Sequence, residues 1–338
     1  MNLDFLSSYE PNQICIVTDR SLEHHPEWLN TSDLHAFPVL WLEMNEANKS
    51  LETVSHIWDW LFEQHITRRG LLICIGGGVL TDLGGFAAST YKRGIDYINI
   101  PTTLLAMIDA STGGKTGLNY HGLKNSIGVF APPVQTIIEP NWLSTLPPQQ
   151  ILSGFGEMLK TGLISSEPLW EALLQYDLDT MNIPELTPLI HQCIAAKTEI
   201  VTSDPQETGL RKVLNFGHTF GHALEEISIQ HSVFSTPMLH GYAVLYGLIA
   251  ELYLSVTKLG CPKEPLQQLT QIMLHYYGKP QCKCSDFDRL IALMQQDKKN
   301  ERADEINCTL LQSVGSPRIN QVISPADARE ALDFLFNL

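Results

Sequence analysis

Two histidines stand four residues apart in Asn215-Phe-Gly-His218-Thr-Phe-Gly-His222-Ala-Leu-Glu225. On a helix this spacing puts both rings on one face, as in zinc-binding helices. A metallopeptidase would carry a glutamate directly after the first histidine, as general base. Here that residue is Thr219, which disfavours peptide hydrolysis. A third histidine, His240, opens a later apolar stretch, and an acid, Glu157, lies in Gly-Phe-Gly-Glu-Met-Leu-Lys. Two histidines and one carboxylate, with a fourth position open, form a catalytic-metal donor set. An isolated histidine pair can equally be a packing or solvent-facing feature. His231, His275 and the His24-His25 pair are read that way.

Cations are scarce: 22 Lys and Arg stand against 37 Asp and Glu, a net charge of −15. Such a chain repels nucleic acid and anionic membranes. Where basic residues gather, an anionic ligand is the chemistry to consider. Lys115 is flanked by glycines in Gly113-Gly-Lys-Thr116, and Lys124-Asn125 follow in what reads as the same loop. This is not a Walker A loop, because its first glycine position is Asp109. Lys160 lies one helical turn after Glu157, Lys197 sits among apolar neighbours, and Arg211 stands four before Asn215. With Arg93, Lys298 and Lys299, they suggest a substrate bearing two or more anionic groups, although any one of them alone reads as a solvated charge. A glycine-rich turn, Gly76-Gly-Gly-Val-Leu-Thr-Asp-Leu-Gly-Gly85, follows the apolar run Leu71–Ile75 and enters a helix. Its backbone N–H groups suit a dinucleotide pyrophosphate. The pattern is not the Rossmann G-x-G-x-x-G, and the nearest strand-end acid is the earlier Asp19. A tight turn without a ligand would use the same glycines.

The elements that must carry these residues divide the chain. In the first 140 residues Ile14–Thr18, Val39–Leu42, Leu71–Ile75, Tyr97–Ile100 and Thr136–Ile138 read as strands. Leu51–Gln64 and Asp82–Tyr91 read as helices between them. Alternation of this kind predicts a mostly parallel sheet covered on both faces. After Leu146-Pro147-Pro148 the segments 149–164, 167–178, 184–203, 212–229, 240–258, 263–277 and 285–297 carry helical periodicity, and only Asn307–Gln312 looks strand-like. We therefore expect an α/β domain over 1–146 and a mainly helical domain over 147–338, with a small-molecule site between them. The most apolar run, Leu71–Leu80, is too short to span a bilayer, and the N-terminus lacks a basic signal region. Seven scattered cysteines, with a lone Cys282-x-Cys284, suggest reduced thiols in the cytoplasm.

From about Glu46 to Leu311 the chain resembles 3-dehydroquinate synthase, within the sugar-phosphate cyclases. The resemblance rests on GGGVLTDLGGFAASTYKRG, IPTTLLAMIDASTGGKTGLN, LKNSIG, GEMLKTGLI, RKVLNFGHTFGHALE and DKKN, in that order. It implies an NAD-binding α/β domain, a helical metal-binding domain and a carbon–oxygen lyase activity. Conversion of 3-deoxy-D-arabino-heptulosonate 7-phosphate to 3-dehydroquinate and phosphate would proceed by oxidation at C5, phosphate elimination, re-reduction, ring opening and aldol closure. NAD would be regenerated in each turnover. Glu157, His218 and His240 resemble the ligands of a divalent zinc or cobalt ion. His222 resembles a residue near substrate rather than a ligand. Asp109, Lys115, Asn125, Lys160, Lys197, Arg211, Asn215 and one of Lys298 or Lys299 resemble substrate contacts. Arg93 resembles a residue given across a homodimer. Asp19, Glu46, Lys49, Gly77, Gly78, Val79, Asp82, Thr102, Thr103 and Thr145 resemble NAD contacts, and Lys115 and Lys124 belong to both neighbourhoods.

The match has departures. Tyr242 stands where glutamate is frequent, Thr161 where tyrosine is common, and Thr81 where a small glycine is frequent. The interval from His222 to His240 is long, which makes His231 a rival ligand. Three other readings compete: a cyclase acting on a neutral heptulose phosphate, a metal-dependent polyol dehydrogenase, and a scaffold without activity. Lys197, Arg211 and Asn215 favour a carboxylated substrate over a neutral one. The anion set of Lys115, Lys160 and Arg211 disfavours a simple dehydrogenase, and the filled ligand positions disfavour an inactive scaffold.

Overall fold

Short runs of branched apolar residues build the sheet of the first half, as seen in a computed structural model. The structure describes residues 3–25, 33–121, 123–230, 237–280, 284–296, 300 and 305–338. The chain divides into two compact units, Met1–Pro147 and Pro148–Leu338. In the first, β1 (Ile14–Asp19), β2 (Val39–Leu42), β3 (Leu71–Gly76) and β4 (Asp96–Pro101) are interleaved with α1 (Leu51–Glu63) and α2 (Gly78–Thr90). A hairpin of β5 (Lys115–Tyr120) and β6 (Leu123–Phe130) precedes the short β7 (Gln135–Thr136). The main sheet has the order β2-β1-β3-β4-β7, and every pairing in it is parallel. Every residue of β3 is buried, as expected of a central strand covered on both faces. Ser50 caps α1, accepting the Thr53 N–H, and α1 buries Val54, Ile57 and Leu61 against the sheet core.

The second unit contains α3 (Pro148–Ser165), α4 (Glu167–Gln175), α5 (Ile183–Ser203), α6 (His218–Gln230), α7 (His240–Leu259), α8 (Glu264–Ile272) and α9 (Phe287–Gln295). An antiparallel pair, β8 (Ile306–Ser313) and β9 (Ser316–Ile323), and α10 (Pro325–Phe336) complete it. The central element is α7, which packs against α3, α6, β8 and α10. By length and mean hydropathy α7 is long and apolar enough to cross a membrane, unlike the run Leu71–Leu80. Of its apolar window 67% is buried inside the protein, as in a core helix.

Four local expectations are corrected. Lys115 and Lys124 lie on paired strands and not in one loop, because Gly113 and Gly114 end the preceding turn at positive φ and release the chain into β5. Helix α2 starts at Gly78, four residues before the expected Asp82, since Gly77 serves as its N-cap. The expected helix over 212–229 is two elements: a 3-10 turn over Leu210–Asn215, then α6 from His218, broken by Gly217 at φ +80. Asn307–Gln312 is not the lone strand of its unit, because β9 and then α10 follow. Pro317 and the polar residues of β9 hid its alternation, and α10, opened by a Ser324–Asp327 capping box, was not anticipated.

Candidate active site

Three elements of the second unit each contribute one side chain able to ligate a metal. Glu157 lies in the buried middle of α3, and His218 and His240 are the first residues of α6 and α7. Glu157 Oε1 is 3.5 Å from His218 Nε2 and 3.4 Å from His240 Nε2. All three ligand atoms lie within 4.8 Å of one another. Ligands held about 2.0–2.2 Å from a tetrahedral zinc ion are spaced by about 3.3–3.6 Å, so the donor chemistry and the two Glu157–histidine distances suit a divalent ion. His222 projects from the next turn of α6, its ring 5.1 Å from that of His218 and 6.0 Å from that of His240. It borders the three donors without joining them. His231 lies outside the described residues.

Close helix contacts make this convergence possible. A Cβ on Gly241, the residue after His240, would lie 1.7 Å from the Ser153 carbonyl of α3. One on Gly156 would lie 2.5 Å from the Gly241 carbonyl. The Ser153 hydroxyl meanwhile accepts the Gly241 N–H at 3.1 Å. Gly241→Ala is therefore expected to push α3 and α7 apart at the level of Glu157 and His240. Overpacking of this kind costs about 1–3 kcal/mol, or a thermal midpoint lower by about 3–10 °C in a domain of this size, readable by calorimetry.

Both histidines are oriented through their second nitrogen. His218 Nδ1 lies 3.1 Å from the Phe216 carbonyl, and His240 Nδ1 lies 3.1 Å from Glu225 Oε2. Burial alone would lower the His240 pKa, but the Glu157 and Glu225 carboxylates outweigh it and raise the ring to about 10. A bound ion would take the place of that proton. Glu225→Gln keeps the side chain's shape and removes the charge that orients His240. We expect metal affinity about 10- to 100-fold weaker, measured by competition with a chromophoric chelator. Tyr242 stands where glutamate is frequent in the family, two residues after His240. Its ring packs edge-on against Tyr277, 4.8 Å between centroids. Thr161, the other departure nearby, donates its hydroxyl to the Glu157 carbonyl at 3.0 Å.

Buried cations share this unit with the three donors. Lys160 forms a short ion pair with Glu157 Oε2, and both side chains are almost fully buried. Lys197 on α5 and Arg211 in the 3-10 turn are buried as well. The loop before Arg211 is built on Asp204. Its carboxylate accepts the backbone N–H groups of Thr208, Gly209 and Arg211. Those donors, the Gly209 N–H foremost, hold the Asp204 carboxyl below its ordinary range. The Arg211 guanidinium donates to the Pro205 carbonyl at 2.7 Å, and the Asn215 amide donates to Glu207 at 3.0 Å. Lys298 and Lys299 lie outside the described residues.

The first unit gathers the residues likened to NAD contacts around the ends of its strands. Gly76 ends β3, Gly77 caps α2, and Gly78 and Val79 open that helix. A Cβ on Gly77 would come within 3.3 Å of Thr103, and one on Gly78 within 3.0 Å of Ala110. The turn is thus a side-chain-free cradle at a helix N-terminus, which fits a pyrophosphate. Thr102 and Thr103 follow β4, and Asp19 ends β1 with its carboxylate on the Ser21 N–H. Lys49 is buried, and its ammonium bridges Asp82 at 2.6 Å and Asn125 at 2.5 Å. Asn125 adopts φ +49, a left-handed conformation that asparagine tolerates. Glu46 accepts from the Asn119 amide at 2.8 Å, and Asn119 accepts the Asn125 N–H at 2.8 Å. Sequence reasoning missed Asn119 as the link between these groups. Its one signal was a polar side chain closing the β5 run Lys-Thr-Gly-Leu-Asn. Asp109 lies in a single π-turn, Ala106–Ala110, and Lys115 opens β5 with its side chain exposed. Thr145 closes a 3-10 turn and donates to the Trp142 carbonyl, and Arg93 is exposed at positive φ beyond α2.

Family models, relatives and solved structures match nearly the whole chain. Residues 39–153 match the family model 3-dehydroquinate synthase N-terminal, and 154–300 match 3-dehydroquinate synthase C-terminal. A 3-dehydroquinate synthase of Parabacteroides distasonis is 45% identical over 98% of this chain and 93% of its own length. One from Streptococcus pyogenes serotype M3 is 38% identical over 88% of this chain and 83% of its own. Among solved structures, 2-epi-5-epi-valiolone synthase from Streptomyces hygroscopicus, with NAD+ and Zn2+ bound, superimposes with a TM-score of 0.85 at 26% identity. That match covers 99% of this chain and 93% of the other. A 2-deoxy-scyllo-inosose synthase shares the fold, with a TM-score of 0.82 at 24% identity over 97% of this chain and 93% of its own. The chain belongs to the 3-dehydroquinate synthase family.

Proposed function

We propose that the protein is a 3-dehydroquinate synthase, converting 3-deoxy-D-arabino-heptulosonate 7-phosphate to 3-dehydroquinate and phosphate as a step in making aromatic compounds. The observation that carries the reading is the buried Glu157, His218 and His240 cluster, with Lys160 paired to its carboxylate, in a chain of this family. When bound, NAD supplies a hydride acceptor and donor, and a zinc or cobalt ion supplies a Lewis acid. The chain's own residues bind and orient. Glu157, His218 and His240 would hold the ion, and the cradle at Gly77, Gly78 and Val79 would hold the dinucleotide phosphates. Glu46, Lys49, Asp82, Thr102, Thr103, Lys124, Thr145 and Asp19 would surround the rest of that cofactor. Lys160, Lys197, Arg211 and Asn215, with Lys115, Asn125 and Asp109, would neutralise and orient a substrate carrying a carboxylate and a phosphate. One of Lys298 or Lys299 would join them.

The same reading makes the protein a cytoplasmic homodimer. Buried cysteines at 15, 74, 193, 261 and 308, none of them in a disulfide, suit a reducing compartment. The hairpin exposes Tyr120, Leu123, Ile127, Val129 and Phe130. An apolar hairpin face of this kind is a surface for a second copy. Arg93, itself exposed, would then be available to a partner's phosphate site.

Substrate choice tests the proposal against its relatives. The heptulosonate phosphate, a neutral heptulose phosphate and a simple polyol are offered in parallel, and phosphate and NADH are followed. The carboxylated sugar alone should release phosphate. Preference for the neutral sugar would move the protein to another cyclase activity, and NADH from the polyol would move it to the dehydrogenases.

A further inference from the structure

Glu251 has no part in the chemistry above, yet it is a fully buried carboxylate in the middle of the apolar helix α7. A charge in such a place is costly unless strong donors meet it. Its Oε2 accepts the Gly217 N–H at 2.7 Å, and its Oε1 accepts the Thr219 N–H at 3.2 Å. These residues flank His218, the first residue of α6. The donors belong to a helix N-terminus, where unsatisfied N–H groups and the helix dipole favour negative charge.

One of these bonds reaches the metal ligand. The Gly217 N–H and the Phe216 carbonyl belong to one peptide group, planar and trans. Its N–H points at Glu251, so its carbonyl points the opposite way. That carbonyl lies 3.1 Å from His218 Nδ1. A carbonyl oxygen can only accept, so Nδ1 is the donor, and in the neutral ring that binds a metal the lone pair is then on Nε2, the nitrogen that faces Glu157. A negative charge on one side of a peptide group also strengthens the acceptor on its other side. The fit leaves little slack: a Cβ on Gly247, one helical turn before Glu251, would lie 1.9 Å from the Gly217 carbonyl.

We infer that Glu251 is a positioning residue for the metal ligand His218, acting through the peptide group between Phe216 and Gly217. The inference deepens the proposed function and rests on its metal centre. Glu251 fixes the tautomer and direction of His218, and in doing so sets the affinity and symmetry of the ion's site. A carboxylate is needed because two N–H donors converge on it. A glutamine in its place would turn an NH2 group toward one of them.

The test uses the full chain, freed of metal and titrated with Co2+ while its visible absorption is recorded. Glu251→Gln is expected to bind Co2+ about 10- to 100-fold more weakly than the unaltered protein, with altered d–d bands. The rise in thermal midpoint on adding Co2+ should shrink as well. If Glu251→Gln does not fold, Glu251→Asp keeps the charge but is one methylene short, and should show the same changes in weaker form. Unchanged Co2+ affinity and bands in a folded variant, with the midpoint lowered equally with and without Co2+, would overturn the inference and leave Glu251 a helix cap. Failure of the unaltered protein to take up Co2+ would instead overturn the metal-centre reading, and the inference with it.

Discussion

Glu157→Gln is expected to lose the bound metal ion on dialysis and to lower kcat by about 100- to 1,000-fold. The amide keeps the size of the side chain and one oxygen, so the packing of α3 against α7 should survive. What disappears is the charge between His218 and His240. A Lewis acid is worth several kcal/mol to such a reaction, and about 3–4 kcal/mol corresponds to the stated loss of rate. The substitution also deprives Lys160 of its carboxylate in a buried place, which costs about 3–5 kcal/mol. The metal-free variant should therefore melt below the metal-free parent. Metal analysis after dialysis, kcat and calorimetry together check the prediction. An unchanged metal content would place the ligands elsewhere.

Arg211→Ala should be nearly as damaging for a different reason, and should leave the metal in place. The guanidinium is buried, but the loop that carries it is held by Asp204 through backbone N–H groups, including that of Arg211 itself. Truncating the side chain leaves those bonds intact. The loss then falls on the substrate's anionic group, which would enter a buried site without its cation. Leaving one member of such a pair unmatched costs about 2–5 kcal/mol, or a fall in kcat/KM of about 30- to 4,000-fold. Metal content should equal that of the parent. Loss of metal together with activity would show that Arg211 supports the metal centre and not the substrate.

The metal donors were legible from sequence only in part. Spacing alone paired His218 with His222, the residues one helical turn apart. The structure keeps His222 near His218 but brings His240 in as well, and it is His218 and His240, the first residues of α6 and α7, whose Nε2 atoms both face Glu157 on α3. No local period contains that information, since it depends on the glycine contact between α3 and α7. The resemblance to a known family did point to His240. The parallel sheet was readable because β1, β3 and β4 each carry a short apolar run that is almost wholly buried. The β5–β6 hairpin was not, because its glycines read as a loop until each strand finds its partner. Glu251 and Asn119 were invisible for a related reason. Each acts on residues far along the chain, Glu251 on Gly217 and Thr219 and Asn119 on Glu46. A polar residue in an apolar helix is a weak clue until its partners are known.

The most direct measurement is turnover with less NAD than substrate. Purified protein, 3-deoxy-D-arabino-heptulosonate 7-phosphate and limiting NAD are mixed, and phosphate, 3-dehydroquinate and NADH absorbance are followed with and without EDTA. Many molecules of phosphate and 3-dehydroquinate per NAD are expected, with no net NADH, arrest by EDTA and recovery on adding Zn2+ or Co2+. NADH formed in step with product, or product formation indifferent to EDTA, would contradict the proposed function.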